Sequence, residues 1–148
     1  MAAGTTPIFP ATPYSVLASL AAATACTTRG PTVTASLAGA NILAFVPVST
    51  NGLRIDLISV KACSTSMTAA TAANIVGIWM WDGTTAYLFD EILVTAVTPS
   101  ASATASFVAQ KSYTNLVLPA TWALYMSVGV TTTAATTALS LQAFGGAY

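Results

Sequence analysis

The run from Ile75 to Val94 constrains the fold more than any other part of the chain. Two segments rich in aromatic and branched residues, Ile75-Val76-Gly77-Ile78-Trp79-Met80-Trp81 and Ala86-Tyr87-Leu88-Phe89-Asp90-Glu91-Ile92-Leu93-Val94, flank Asp82-Gly83. Such side chains suit a pleated, half-buried surface, and an Asp-Gly pair accepts the positive φ values of a tight turn. The pattern predicts a β-hairpin with Asp82 and Gly83 at its tip. Because side chains alternate along a strand, Trp79 and Trp81 are expected on one face, in a core or an interface. For the same reason Asp90 and Glu91 are expected on opposite faces.

The rest of the chain reads as further strands. Thr32 to Leu37 follows Thr27-Thr28-Arg29-Gly30-Pro31, and Ile42 to Val48 is separated from Leu53 to Ala62 by Ser49-Thr50-Asn51-Gly52, both turn-forming stretches. Leu53 to Ala62 carries apolar residues on both faces, as a central sandwich strand does. Thr104 to Ala109, the short run Leu116 to Leu118, Trp122 to Val130 and the alternation Leu139, Leu141, Ala143 ahead of Gly145-Gly146 follow. Ser15 to Cys26 mixes helical and extended propensities and is read as extended. About eight short strands at this spacing predict an all-β fold, a single jelly-roll-like β-sandwich. Pro7, Pro10 and Pro13, with Ile8 and Phe9 between them, predict an extended N-terminal arm over residues 1–14 ahead of a sandwich domain over residues 15–148. Ile8, Phe9 and Tyr14 are its candidate contacts with a neighbouring subunit or capsid.

Composition narrows the function. Of 148 residues, 55% are hydrophobic and 5% are charged, with four basic and four acidic residues cancelling; ordinary domains carry about 25% charged residues. A surface so poor in charge favours association. Every apolar run is broken by Thr, Ser, Gly or Asn, so no transmembrane helix and no membrane partner are expected. The first residues lack a positively charged start and an apolar stretch, so no export signal is expected. Cys26 and Cys63 are read as free, small apolar side chains. Arg29, Arg54, Lys61 and Lys111 are too dispersed for a basic patch, which argues against nucleic-acid binding.

The chain has no His, removing the commonest general base, the commonest metal ligand and every His-activated nucleophile. No catalytic, metal or cofactor site is expected, and the chain is read as a non-enzyme. Asp82 is a turn residue. The remaining carboxylates suggest a structural ion pair between neighbouring strands, with Arg54 and Glu91 as candidates, in preference to a calcium site using Asp56 and Asp90. Trp79, Trp81 and Trp122 are candidate core or interface aromatics, and a sugar-binding role for them is the lesser reading.

Taken in order, Asn51-Gly52-Leu53-Arg54-Ile55-Asp56, Trp81-Asp82-Gly83, Asp90-Glu91-Ile92, Val97-Thr98-Pro99-Ser100, Leu116-Val117-Leu118-Pro119 and Ala143-Phe144-Gly145-Gly146-Ala147-Tyr148 resemble a family of small β-sandwich virion proteins of tailed bacteriophages and prophages. The sequence departs at Leu57, where a charged or polar residue is common. The resemblance implies a jelly-roll subunit that decorates or cements a capsid, or serves as a minor capsid protein. The expected partners are other copies of the chain, as a homo-oligomer and specifically a trimer, and the major capsid protein or another virion protein. The expected location is the virion, assembled in the host cytoplasm. The alternatives are a receptor- or glycan-binding module on the phage surface or tail, and a secreted pilus-like subunit bridged between Cys26 and Cys63.

Overall fold

The computed structural model describes residues 10, 12–34, 36–135 and 137–148. Among the described residues there are nine strands and no helix: β1 (Thr12–Leu20), β2 (Thr32–Val33), β3 (Leu43–Val46), β4 (Leu53–Cys63), β5 (Asn74–Trp81), β6 (Ala86–Val94), β7 (Val108–Leu118), β8 (Ala123–Val128) and β9 (Ala138–Ala147). They form two antiparallel sheets, one in the order β1-β9-β4-β7 and one in the order β2-β6-β5-β8-β3. Setting the two-residue β2 aside, the antiparallel pairs are nested: β1 with β9, β3 with β8, β4 with β7, and β5 with β6. A long hairpin rolled on itself has this connectivity, and the pairs β4–β9 and β5–β8 close the roll. The sandwich is therefore an eight-stranded jelly roll with a small insertion before β3.

The innermost pair is the hairpin expected from the sequence, but its turn is built differently. Four residues, Asp82 to Thr85, separate the strands, and Gly83 has φ 102° while Asp82 is not at positive φ. Asp82 instead accepts the Thr84 and Thr85 amides on Oδ1, each at 2.8 Å. A side-chain cap of this kind stabilises the loop without left-handed backbone at Asp82. In β6 the register shifts at Phe89, so Ile78 faces Asp90 and Trp79 faces Leu88.

The apolar residues on both faces of β4 have a specific cause. Leu53 and Ile55 point inward, then Ile58, Val60 and Ala62 do, so the alternation changes phase. A bulge at Asp56 produces the change, because an extra residue in one strand moves the rest to the other face. It also explains Gly145-Gly146, which lie inside β9 and do not end it. A Cβ on Gly145 would sit 1.7 Å from the Arg54 carbonyl oxygen, so the bulged strand can approach β9 only at glycine.

Between the sheets lies one core that includes Ile55, Ile58, Val76, Ile78, Leu118, Leu124 and Leu141, all fully buried. Strand β7 runs through Gln110 to Asn115, where the sequence suggests two separate pieces. Its polar middle belongs to a sheet edge, and the strand breaks register there, with Asn115 at φ 61°. Strand β1 begins at Thr12, so Pro13 and Tyr14 belong to the sandwich and not to an arm ending at residue 14. Tyr14 packs against the main core of its own chain. Ile8 and Phe9 lie outside the described residues.

Candidate functional site

The two outer sheet faces differ. Over the five-stranded sheet, the segment between β1 and β3 forms a strap. Thr132 anchors its start, donating from Oγ1 to the Leu20 carbonyl at 2.7 Å and accepting the Ala23 amide at 2.8 Å. The Cys26 amide donates to the Val128 carbonyl, the Leu88 amide to the Pro31 carbonyl, and β2 pairs with the start of β6. The chain thus crosses β5 from the β8 side to the β6 side. On one side of the crossing is a second small core of Val33, Ala40, Ile42, Trp79 and Ala86, with Trp81 and Tyr125 packed against it. Trp79 is 1% exposed. Its Nε1 donates to Ser127 Oγ at 2.8 Å, in space that a side chain at Gly77 would occupy, since a Cβ there would lie 2.7 Å from Ser127 Oγ.

On the other side of the strap is a half-open cleft of about 370 Å³, within the usual range for a small-molecule site. Ile75, the Trp79 edge, Leu88, Leu93 and Val130 make its walls mostly apolar, and Arg29 and Glu91 stand at the rim. Its polar groups are largely paired with one another. Asn74 Oδ1 accepts the amides of Ile75, Gly129 and Val130, while its Nδ2 donates to the Val130 carbonyl. The Cys26 thiol donates to the Thr28 carbonyl.

The outer face of the four-stranded sheet has no such cover among the described residues. Its register sets Ser15, Phe144, Leu57 and Ser112 in one row, and Leu17, Gln142, Ser59 and Gln110 in the next. Leu17 is 67% exposed, and Val108 and Val117 are also exposed. Charge enters only towards the two ends of the face, with Lys61 at one and Arg54 with Asp56 at the other.

The carboxylates are held locally. Arg29 Nη2 lies 2.6 Å from both Glu91 oxygens. Arg54 pairs with Asp56, two residues along its own strand: Nη2 donates to Oδ2 at 3.0 Å, and Nε lies 2.8 Å from Oδ1 but off the line of a hydrogen bond. The expected pair of Arg54 with Glu91 is therefore corrected. These residues belong to different sheets, and each has a nearer partner. Asp90 points the other way from Glu91 and ties the sheets together at their flank. It accepts Lys111 Nζ at 2.5 Å and the Tyr113 hydroxyl at 2.9 Å, both from β7. Burial acts to raise the Asp90 pKa, but the bonds from Lys111, Tyr113 and the Glu91 amide outweigh it and hold the carboxyl below its usual value. Burial, together with the bond to Asp90, pushes the Tyr113 phenol well above its ordinary range.

Trp79 and Trp81 share an outer face under the strap, and Trp122 is half-buried against the main core. Both thiols are free, Cys26 beside the cleft and Cys63 at the end of β4, and each has a separate hydrogen-bond partner. Asp56 and Asp90 are not brought together. No group of three or more His, Cys, Asp or Glu suited to a metal ion occurs among the described residues, and among them there is no helix long and apolar enough to cross a membrane. Compared with family models, curated proteins and solved structures, the chain matches none. Sequence reasoning missed the cleft, whose walls come from four separate stretches. Its one local signal was Gly77 inside an otherwise bulky strand, where glycine marks a close approach.

Proposed function

We propose that this chain is a non-enzymatic structural protein of a tailed-bacteriophage particle, a capsid decoration or cement protein or a minor capsid subunit, acting as a homo-oligomer, specifically a trimer. The observation that carries the reading is the outer face of the four-stranded sheet, which is uncovered among the described residues. A jelly roll that exposes Leu17 beside Phe144 and Leu57, with its charges confined to the ends of the face, presents a weakly hydrated surface to a neighbour. Three of its four cations are already paired with carboxylates. Association of copies therefore meets little charge repulsion and little cost of stripping water from ions.

Jelly rolls recur in capsid proteins, and the ordered motifs that resemble virion proteins point the same way. On a lattice, many weak contacts act together, so a modest apolar face suffices for stable attachment. Residues ahead of Thr12, with Ile8 and Phe9, supply a further apolar contact in this reading. The test is light scattering on the purified chain, alone and as Leu17→Lys. A trimer that dissociates in the variant, with an unchanged melting curve, supports the face as the subunit contact. A wild-type monomer at high micromolar concentration overturns the homo-oligomer.

A further inference from the structure

We propose that the cleft beside the strap binds a small, uncharged, mostly apolar molecule carrying one hydrogen-bond acceptor, which Ser127 holds. This role is separate from attachment to a particle and does not depend on it. Ser127 has a hydrogen-bond donor left over inside the cleft. A hydroxyl has one proton to donate and lone pairs to accept with. Ser127 Oγ accepts the Trp79 indole N–H, yet among the described residues no acceptor takes the proton of Ser127 itself. Ser127 is 5% exposed and lines the half-open cleft, so the unpaired donor lies at a buried wall of the cleft and not on the outer surface. Such a donor is left at a cost unless something in the cleft accepts from it.

Charge accounting sets the ligand class. Arg29 is the cation at the rim, and Glu91 already holds it through both carboxylate oxygens. An anion would have to displace Glu91, and a cation would meet a neutralised carboxylate. Asn74 has its amide oxygen and nitrogen engaged with backbone groups. What remains is an apolar wall of Ile75, Leu88, Leu93 and Val130, the edge of an indole, the half-buried Thr28 hydroxyl, which accepts the Gly30 amide, and Ser127 as the one fully buried donor. A ketone, ester or ether with a compact hydrocarbon body matches that set.

The test titrates the full chain with acetophenone, with ethylbenzene, which lacks the acceptor, and with benzoate, its anionic counterpart. Binding is followed through the Trp79 indole N–H in proton–nitrogen correlation spectra. That resonance reports directly on the bond to Ser127. The expected result is saturable binding of acetophenone at one site, with ethylbenzene weaker by up to about tenfold, the worth of one hydrogen bond. Benzoate is expected to bind no tighter than acetophenone. Gly129→Phe is expected to abolish the shift, because a Cβ there makes only ordinary contacts, 3.6 Å from Ile75, and the ring would lie against the cleft wall. If that variant fails to fold, Leu93→Tyr serves instead, since Leu93 is 65% exposed. No saturable shift, equal affinity for ethylbenzene, tighter binding of benzoate, or a shift unchanged in the blocking variant each overturns the proposal. A Trp79 shift that tracks protein concentration alone would show a side chain of a second copy in the cleft, which overturns it as well.

Discussion

Replacing Asp90 by Asn tests whether the carboxylates of this chain serve the fold. Asp90 accepts from Lys111, Tyr113 and the Glu91 amide. Hydrogen bonds to a charged group contribute about 1.5–3 kcal/mol and neutral ones about 0.5–1.5. Neutralising the acceptor therefore weakens each side-chain bond by about 1 kcal/mol. The Lys111 side chain is 44% exposed and regains water, so its share is the smaller. The expected loss is about 1–2 kcal/mol, or roughly 3–6 °C in melting temperature for a chain of this length. The sign with pH follows from the lowered folded-state pKa of Asp90. Its contribution is complete above the unfolded carboxylate value near 4 and is lost as pH falls through the folded value. Urea unfolding of both proteins across the acid range should show a gap at neutral pH that closes in acid. A gap that stays constant into strong acid, or is absent at neutral pH, would refute the assignment of Asp90 as the clasp between the sheets.

Four further outcomes follow from the same geometry. Gly145→Ala should cost about 4 kcal/mol or more, or prevent folding, because the new Cβ meets backbone that cannot swing aside; Gly129→Ala, with ordinary contacts only, should stay within about 0.5 kcal/mol in the same thermal melts. Ser127→Ala leaves the buried Trp79 N–H without a partner and should cost about 1–3 kcal/mol; combined with Trp79→Phe, the loss should be about 1 kcal/mol less than the sum of the singles in a double-mutant cycle. Arg29→Gln should change stability by no more than about 1 kcal/mol by urea unfolding, since its ion pair is exposed. The raised Tyr113 pKa makes the fold lose stability in alkali, beginning as pH rises past the ordinary tyrosine value near 10, and Tyr113→Phe should flatten that limb of the melting-temperature profile.

Strand identity was legible where alternation met turn residues, as in the hairpin and in β4. The phase change between Ile55 and Ile58 was legible too, but it signals a bulge and not burial of both faces. The polar run Gln110 to Asn115 concealed the middle of β7, because an edge strand with an inward lysine lacks the usual pattern. Arg54 with Glu91 failed as a pair because sequence gives neither the sheet to which a strand belongs nor the local partner that competes. The clustering of Trp79 and Trp81 followed from their spacing, whereas the strap that covers them did not, since it depends on long-range backbone bonds such as Cys26 to Val128. The cleft was hidden for the same reason.

The most direct test of a structural role is to add the purified chain to phage particles that lack it and count the copies bound by quantitative mass spectrometry. A structural subunit should saturate at a copy number set by the symmetry of the particle, and Leu17→Lys together with removal of residues 1–9 should sharply lower that number without unfolding the chain. Binding that never saturates, or a wild-type chain that stays wholly in solution, would contradict it.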